Sequence, residues 1–210
     1  MKSDVVKVTN YGEGIDAALH AASASAVYRG LSKKDAIHLR LLAEEMLGMV
    51  RQITGGTEAD FWVESEGGRF ELHLEARPPV TGRMRKELLS ASTSGRNEAA
   101  RGFMGKIRDI IDRALAAEDI SEQPEYFLQG LIMPPGMEIA DPMMSSAAAC
   151  MVNWSMQSYR SAIEGSSRGA GAKDEWDELE KSIVANIADD VRIAISGDEV
   201  GMTVYKNFEK

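Results

Sequence analysis

The sequence predicts an α+β domain: a two-layer sandwich whose mixed, mostly antiparallel sheet carries its helices on one face. Three observations predict it. Two alternating apolar–polar runs flank Glu66-Gly67-Gly68, and a second such pair flanks Gly197-Asp198, so residues 59–76 and 191–208 read as β-hairpins. Between residues 14 and 56 the chain is rich in alanine and leucine, with apolar residues at helical spacing. Strands and helices therefore come in blocks rather than in strict alternation, which favours an antiparallel sheet over a doubly wound parallel one.

Each element has its own signal. "DVVKVTNY" at 4–11 alternates and holds β-branched residues, so it reads as a first strand. "GIDAALHAASASAVYRG" reads as a helix that Gly30 stops. Ser32 is an N-cap for the next helix, with Asp35 three residues on in a near capping box. Its apolar face is Leu39, Leu42, Ala43, Met46, Val50 and Ile53, and Gly55-Gly56 end it. After the first hairpin, "RPPVTG" breaks the pattern and "RMRKELLSAS" reads as a short helix. A glycine-punctuated stretch, "SGRNEAARGFMGKIRDII", leads into a helix from about Met104. Residues 119–142 hold four prolines and read as irregular. "MMSSAAACMVNWSMQSYRSAIEG" reads as a helix ending at Gly165, "SSRGAGAK" as a connector, and "DEWDELEKSIVANIADD" as a last helix before the closing hairpin.

Composition narrows the class. The chain has 210 residues, enough for a single domain (1–210) with a helical and irregular insertion at 116–173. A net charge of −9 argues against nucleic acid and against anionic lipid as partners. One cysteine, Cys150, rules out an internal disulfide. No apolar run reaches membrane-spanning length and no secretory leader is evident, so the expected compartment is the cytoplasm. His20, His38 and His73 show no metal-ligand spacing, and neither a Walker loop nor a nucleophile elbow is present.

The order of elements resembles the histidine kinase-like (GHKL) ATPase fold, and most closely the small bacterial anti-sigma factor serine kinases. "LRLLAEEMLGMVRQI" sits where that family carries a Glu-x-x-x-Asn motif, "FELHLEARPPVTG" where it carries an Asp-x-Gly-x-Gly box, "ARGFMGKIRDII" at its glycine loop and "GMTVYKNF" at its last strand. The resemblance spans roughly 4–115 and 174–208. It implies ATP as ligand, magnesium as cofactor, and, if the chain is active, an ATP-dependent protein serine kinase or ATPase. Glu44 would be the general base and Gly48 would stand at the metal-binding position; Glu45 with Met49 is the other register. Ala76 would stand where the family's adenine-binding Asp stands. Arg96, Arg101, Gly102, Gly105 and Lys106 would form the phosphate cradle at a helix start.

The sequence departs from the family at two of these positions. Magnesium takes oxygen ligands, and neither Gly48 nor Met49 has one. Ala76 cannot accept a hydrogen bond from an adenine amino group, and Pro78-Pro79 stand where glycines are expected. The competing readings are ordinary ones: Glu44 as a solvated surface charge, Lys106 as a solvated helix residue, Ser94–Asn97 as a plain turn. Half of the twelve methionines lie between Met133 and Met156. Such a surface suits adaptable contacts with a regulatory partner or a second copy, against the alternative of a helix packed in its own core. Three functions follow: a GHKL-like signalling protein that binds ATP, a degenerate member that serves as a protein-interaction module, or a pocket repurposed for another anionic metabolite held by Arg96, Arg101 and Lys106.

Overall fold

The computed structural model describes residues 1–50, 58–77, 107, 111, 151–165, 182–196 and 199–209. Six strands form one sheet: β1 (Val6–Thr9), β2 (Glu58–Glu66), β3 (Arg69–Ala76), β4 (Met151–Ser155), β5 (Asp190–Ser196) and β6 (Glu199–Asn207). Their order is β1-β2-β3-β6-β5-β4, and every described pairing is antiparallel. The described helices are α1 (Ile15–Tyr28), α2 (Lys33–Gly48), α3 (Met156–Gly165) and α4 (Ile183–Ile187). No helix among the described residues is long and apolar enough to cross a membrane.

Period-two alternation gives the sheet two unlike faces. On the inner face one row crosses all six strands: Val6, Phe61, Leu74, Met202, Ile193 and Trp154. Val63, Leu72, Val204 and Val191 form a second inner row. These side chains share one core with Leu19 and Ala22 of α1, Leu39, Leu42 and Met46 of α2, Ile163 of α3 and Val184 of α4. The two-layer arrangement follows, because each helix has a single apolar stripe to bury.

Local chemistry sets the helix ends. Gly14 caps α1 with φ +78, and a Cβ there would lie 1.9 Å from the Lys7 carbonyl oxygen. At the other end Gly30 (φ +67) donates to Val27 O at 3.0 Å and Leu31 donates to Ala26 O at 3.0 Å, the double bond of a Schellman ending. Ser25 is buried within α1 and keeps its hydroxyl satisfied on Ala21 O at 2.8 Å. In α2 Ser32 Oγ accepts from Asp35 N at 3.2 Å and donates to Asp35 Oδ2 at 2.6 Å, so the cap stands where the sequence puts it.

Three expectations change. The helix expected to run to Gly55-Gly56 is interrupted after Gly48, with Met49 as a C-cap donating back to Met46 O at 3.1 Å; Val50 is helical again, and residues 51–57, with Ile53 and Gly55-Gly56, lie outside the described residues. Glycine is a poor helix residue, so the break falls beside it, and Met49 and Val50 are both buried in the core. The methionine-rich run is not one helix: Met151–Ser155 is the edge strand β4, and α3 starts only at Met156. Pairing with β5 outweighs the helix propensity of the small residues around it. The last helix is cut at Ser182, which is extended and accepts from Ala185 N to cap α4. Of the helix expected from Met104, Ile107 and Ile111 are described; both are helical and buried. The expected helix at 83–92, the irregular 119–142, the connector 166–173, Pro78-Pro79, Cys150 and the Gly197-Asp198 turn lie outside the described residues.

The corner between β4, α3 and β5 turns on Asp190, which is buried. Its carboxylate accepts from Ser155 Oγ (3.1 Å), Gln157 N (3.1 Å), Val191 N (2.9 Å) and Arg192 Nε (2.9 Å). Ser155 Oγ in turn accepts from Ser158 N at 3.3 Å, closing the first turn of α3. The negative charge also sits favourably at the start of that helix. From β4's partner in α3, the Arg160 guanidinium donates to the Ala185 carbonyl and ties α3 to α4.

Two substitutions test this account. Gly14→Ala is expected to cost at least about 2 kcal/mol in urea denaturation, while Gly12→Ala, whose Cβ meets nothing within 4 Å, costs about half of that. Asp190→Asn is expected to cost about 1–3 kcal/mol, because the donors gathered on this buried carboxylate lose their charged acceptor. Equal losses at Gly12 and Gly14, or an unchanged urea midpoint for Asp190→Asn, contradict it.

Candidate functional site

The residues put forward for nucleotide chemistry divide into those the structure describes and those it does not. Glu44 lies on the outward side of α2, where Arg40 Nε donates to its Oε1 at 3.0 Å; its side chain is 41% exposed. That is an ordinary i,i+4 surface pair, the geometry a helix gives any Arg and Glu four residues apart. Gly48 stands one turn further along the same exposed side, and a Cβ there meets nothing within 4 Å. Glu45 is half-buried and Met49 is buried, so the second register, not the first, faces the protein. Neither register brings a side-chain oxygen to the position of the family's Asn.

Ala76 ends β3 in the core, paired with Ala59 on one side and Val200 on the other. Its neighbour Arg77 reaches Glu199 at 3.2 Å on the surface. Arg96, Arg101, Gly102, Gly105 and Lys106 lie outside the described residues, as do Asn97 and the methionines from Met133 to Met144. The next residues that are described, Ile107 and Ile111, are one helical turn apart and both buried in the core. In the methionine-rich run the described side chains of Trp154 and Met156 are core residues, with Trp154 against Tyr159 at 5.9 Å between centroids. The partner-surface reading therefore finds no support at these two positions.

The outer sheet face holds an arrangement that the sequence reading missed. Trp62 and His73 are cross-strand partners, stacked with centroids 4.7 Å apart and planes 6° apart. Lys2 Nζ lies 4.6 Å over the Trp62 ring and pairs with Glu64 at 3.0 Å; Trp62 Nε1 donates to the same Glu64 at 2.9 Å. The Lys2 ammonium, then the indole N–H, hold the Glu64 carboxyl below the ordinary carboxylate range. His73 Nδ1 meets Thr203 Oγ1 at 3.3 Å, while its Nε2 is buried without a hydrogen-bond partner, 3.7 Å from Glu71 Oε2. Glu71 Oε1 holds Arg69 at 3.1 Å, and the guanidinium groups of Arg69 and Arg192 lie 5.7 and 4.7 Å from the Tyr205 ring centroid. Arg192 closes the line on Asp190. Burial pushes the His73 imidazole below its ordinary value; Glu64 and Glu71 oppose this and Lys2 adds to it.

No family model, curated protein or solved structure matches the chain. The chemistry must be judged from its own residues. Among the described residues no three acidic, histidine or cysteine side chains gather into a metal site. The outer-face line is a charge-balanced lattice: Lys2, Arg69 and Arg192 against Glu64, Glu71 and Asp190, with a neutral stacked pair in the middle. Its one signal in the sequence was an aromatic and a histidine on facing strands of a hairpin, both in positions that alternate away from the core.

As a surface ion pair, Glu44–Arg40 contributes little. Glu44→Ala is expected to shift stability by no more than about 0.5 kcal/mol in chemical denaturation. A loss well above that indicates a contact that the exposed pair does not account for.

Proposed function

We propose that this chain is a regulatory or signalling protein of GHKL-like architecture that works as a protein-interaction module, not as a phosphotransferase. One observation carries the reading: the positions corresponding to the metal and adenine contacts are occupied by groups that cannot make them. Gly48 and Met49 offer no oxygen, and Ala76 is buried between apolar neighbours. The surface pairing of Glu44 with Arg40 is consistent with the same view. Phosphoryl transfer relies on metal and positioning far more than on any single base, so the missing oxygen weighs heaviest against turnover. The partner is then a regulatory protein or a second copy of the chain.

A second reading, ATP binding without turnover, is favoured by Ile107 and Ile111. Both are helical and buried in the core, shortly after Gly102 and Gly105 in the sequence, and the resemblance puts a phosphate-binding helix start at those glycines. Thermal unfolding with ATP and ADP, each with and without magnesium, separates the two. The interaction-module reading expects an unchanged Tm at millimolar nucleotide. Nucleotide at about 100 times its Kd adds about 2.7 kcal/mol to a protein that binds it only when folded, so a clear rise in Tm supports the second reading and overturns the first.

A further inference from the structure

The imidazole of His73 sits at the centre of the outer-face line, and its geometry is that of a joint with one unused connection. In the tautomer that carries its proton on Nδ1, that N–H donates to Thr203 Oγ1 and leaves Nε2 as a bare acceptor, which is the cheaper group to leave unpaired. A second proton turns Nε2 into a buried donor, and such a donor needs a partner. Glu71 Oε2 is the carboxylate in reach at 3.7 Å, beyond hydrogen-bonding distance. The gap closes only by movement. Either the ring tilts from its 6° stack on Trp62, or Glu71 swings away from Arg69, which it holds at 3.1 Å. Both neighbours are themselves connected: Trp62 to Glu64 and Lys2, Arg69 to Tyr205 and onward through Arg192 to Asp190.

We propose that His73 is a proton-operated joint of the outer sheet face: when the ring gains a proton, Glu71 is drawn to Nε2, and the Trp62 stack and the Arg69 pair rearrange together. Among the described residues, the charged or titratable groups that face it are Lys2 from the N-terminal segment and Asp60 and Glu64 on β2. Arg69, Glu71 and Glu75 face it on β3, Tyr205 on β6 and Arg192 on β5. With His73 neutral, the line from Lys2 to Asp190 carries three positive and three negative groups; acidification gives it a net positive charge at its middle. A partner that recognises this face would therefore meet a different surface on either side of the transition.

The burial that disfavours the charged ring sets the sign. The folded-state pKa lies below the unfolded one, so the unfolded chain takes up the proton first. The stability contribution is complete above an ordinary imidazole pKa of about 6.5 and declines as pH falls through the window below it.

The test is an NMR titration of the whole chain from pH 8 to pH 5. It follows the imidazole signals, assigned with His73→Phe, and the three indole N–H signals, assigned with Trp62→Phe. The proposal expects the Trp62 indole signal and the Arg69 side-chain signal to shift with the same midpoint as His73. It expects those shifts to vanish in His73→Phe, which keeps an aromatic ring on Trp62. Glu71→Gln is expected to lower the His73 midpoint further and to uncouple Arg69 from it. A His73 titration that leaves Trp62 and Arg69 unmoved overturns the proposal. So does a Trp62 or Arg69 shift that persists in His73→Phe.

Discussion

The register of β3 between β2 and β6 is the constraint on which the rest depends. Leu72 faces Val63 on one side and Val204 on the other, and Leu74 faces Phe61 and Met202. Side chains alternate along a strand with a period of two, so a slip of one residue would carry Phe70, Leu72 and Leu74 to solvent and bring Glu71 and His73 into the core. The energetic asymmetry of that exchange is large, because buried apolar area is lost and unpaired charge is buried in the same step. One register thus positions two things at once: the apolar rows that receive α1 and α2, and the polar rows on the opposite face. The Trp62–His73 stack and the Phe61–Leu74 contact have a common cause.

The parts of the fold that local chemistry decides were readable in the sequence. Both hairpins, the Ser32 cap and the Gly30 ending involve residues within a few positions of one another, and turn or cap residues announce them. What tertiary pairing decides was not readable. Met151–Ser155 follows a run of alanine and serine that favours a helix by propensity, and it becomes a strand because β5 offers it an open edge. Ser182 breaks a helical pattern whose apolar spacing continues across it, and its cap becomes visible only as a hydrogen bond to Ala185 N. Asp190 looked like the polar end of a helix. In the fold it is the acceptor that joins three elements.

The same division runs through the functional residues. A motif reading compares positions along one helix, and it left two registers open on α2. Burial distinguishes them: the 44/48 side points outward and the 45/49 side inward, although neither supplies a metal ligand. The outer-face line could not be read that way at all. Its members, Lys2, Trp62, His73, Tyr205 and Arg192, come from five stretches of chain and meet only through strand order. A histidine with no metal-ligand spacing is unremarked in a sequence, yet the sheet places it on an indole with a carboxylate just out of reach.

That placement bears on how the two faces divide the work of this chain. The inner face is committed: its rows are filled by helices, and Ile107 and Ile111, which follow the glycine-punctuated stretch in sequence, are part of the same core. Any binding through that side must fit a core that tolerates little rearrangement. Around the largely buried Trp62–His73 stack, the outer face is held by the Lys2–Glu64 and Arg69–Glu71 pairs, which are exposed or half-exposed and individually weak, with the buried Asp190 at its far end. Weak pairs are easily re-sorted when a single charge is added at their centre, whereas a packed apolar row is not. Responsiveness in this architecture therefore belongs to the polar side of the sheet, and the apolar side supplies the rigid frame against which a movement at His73 has an effect.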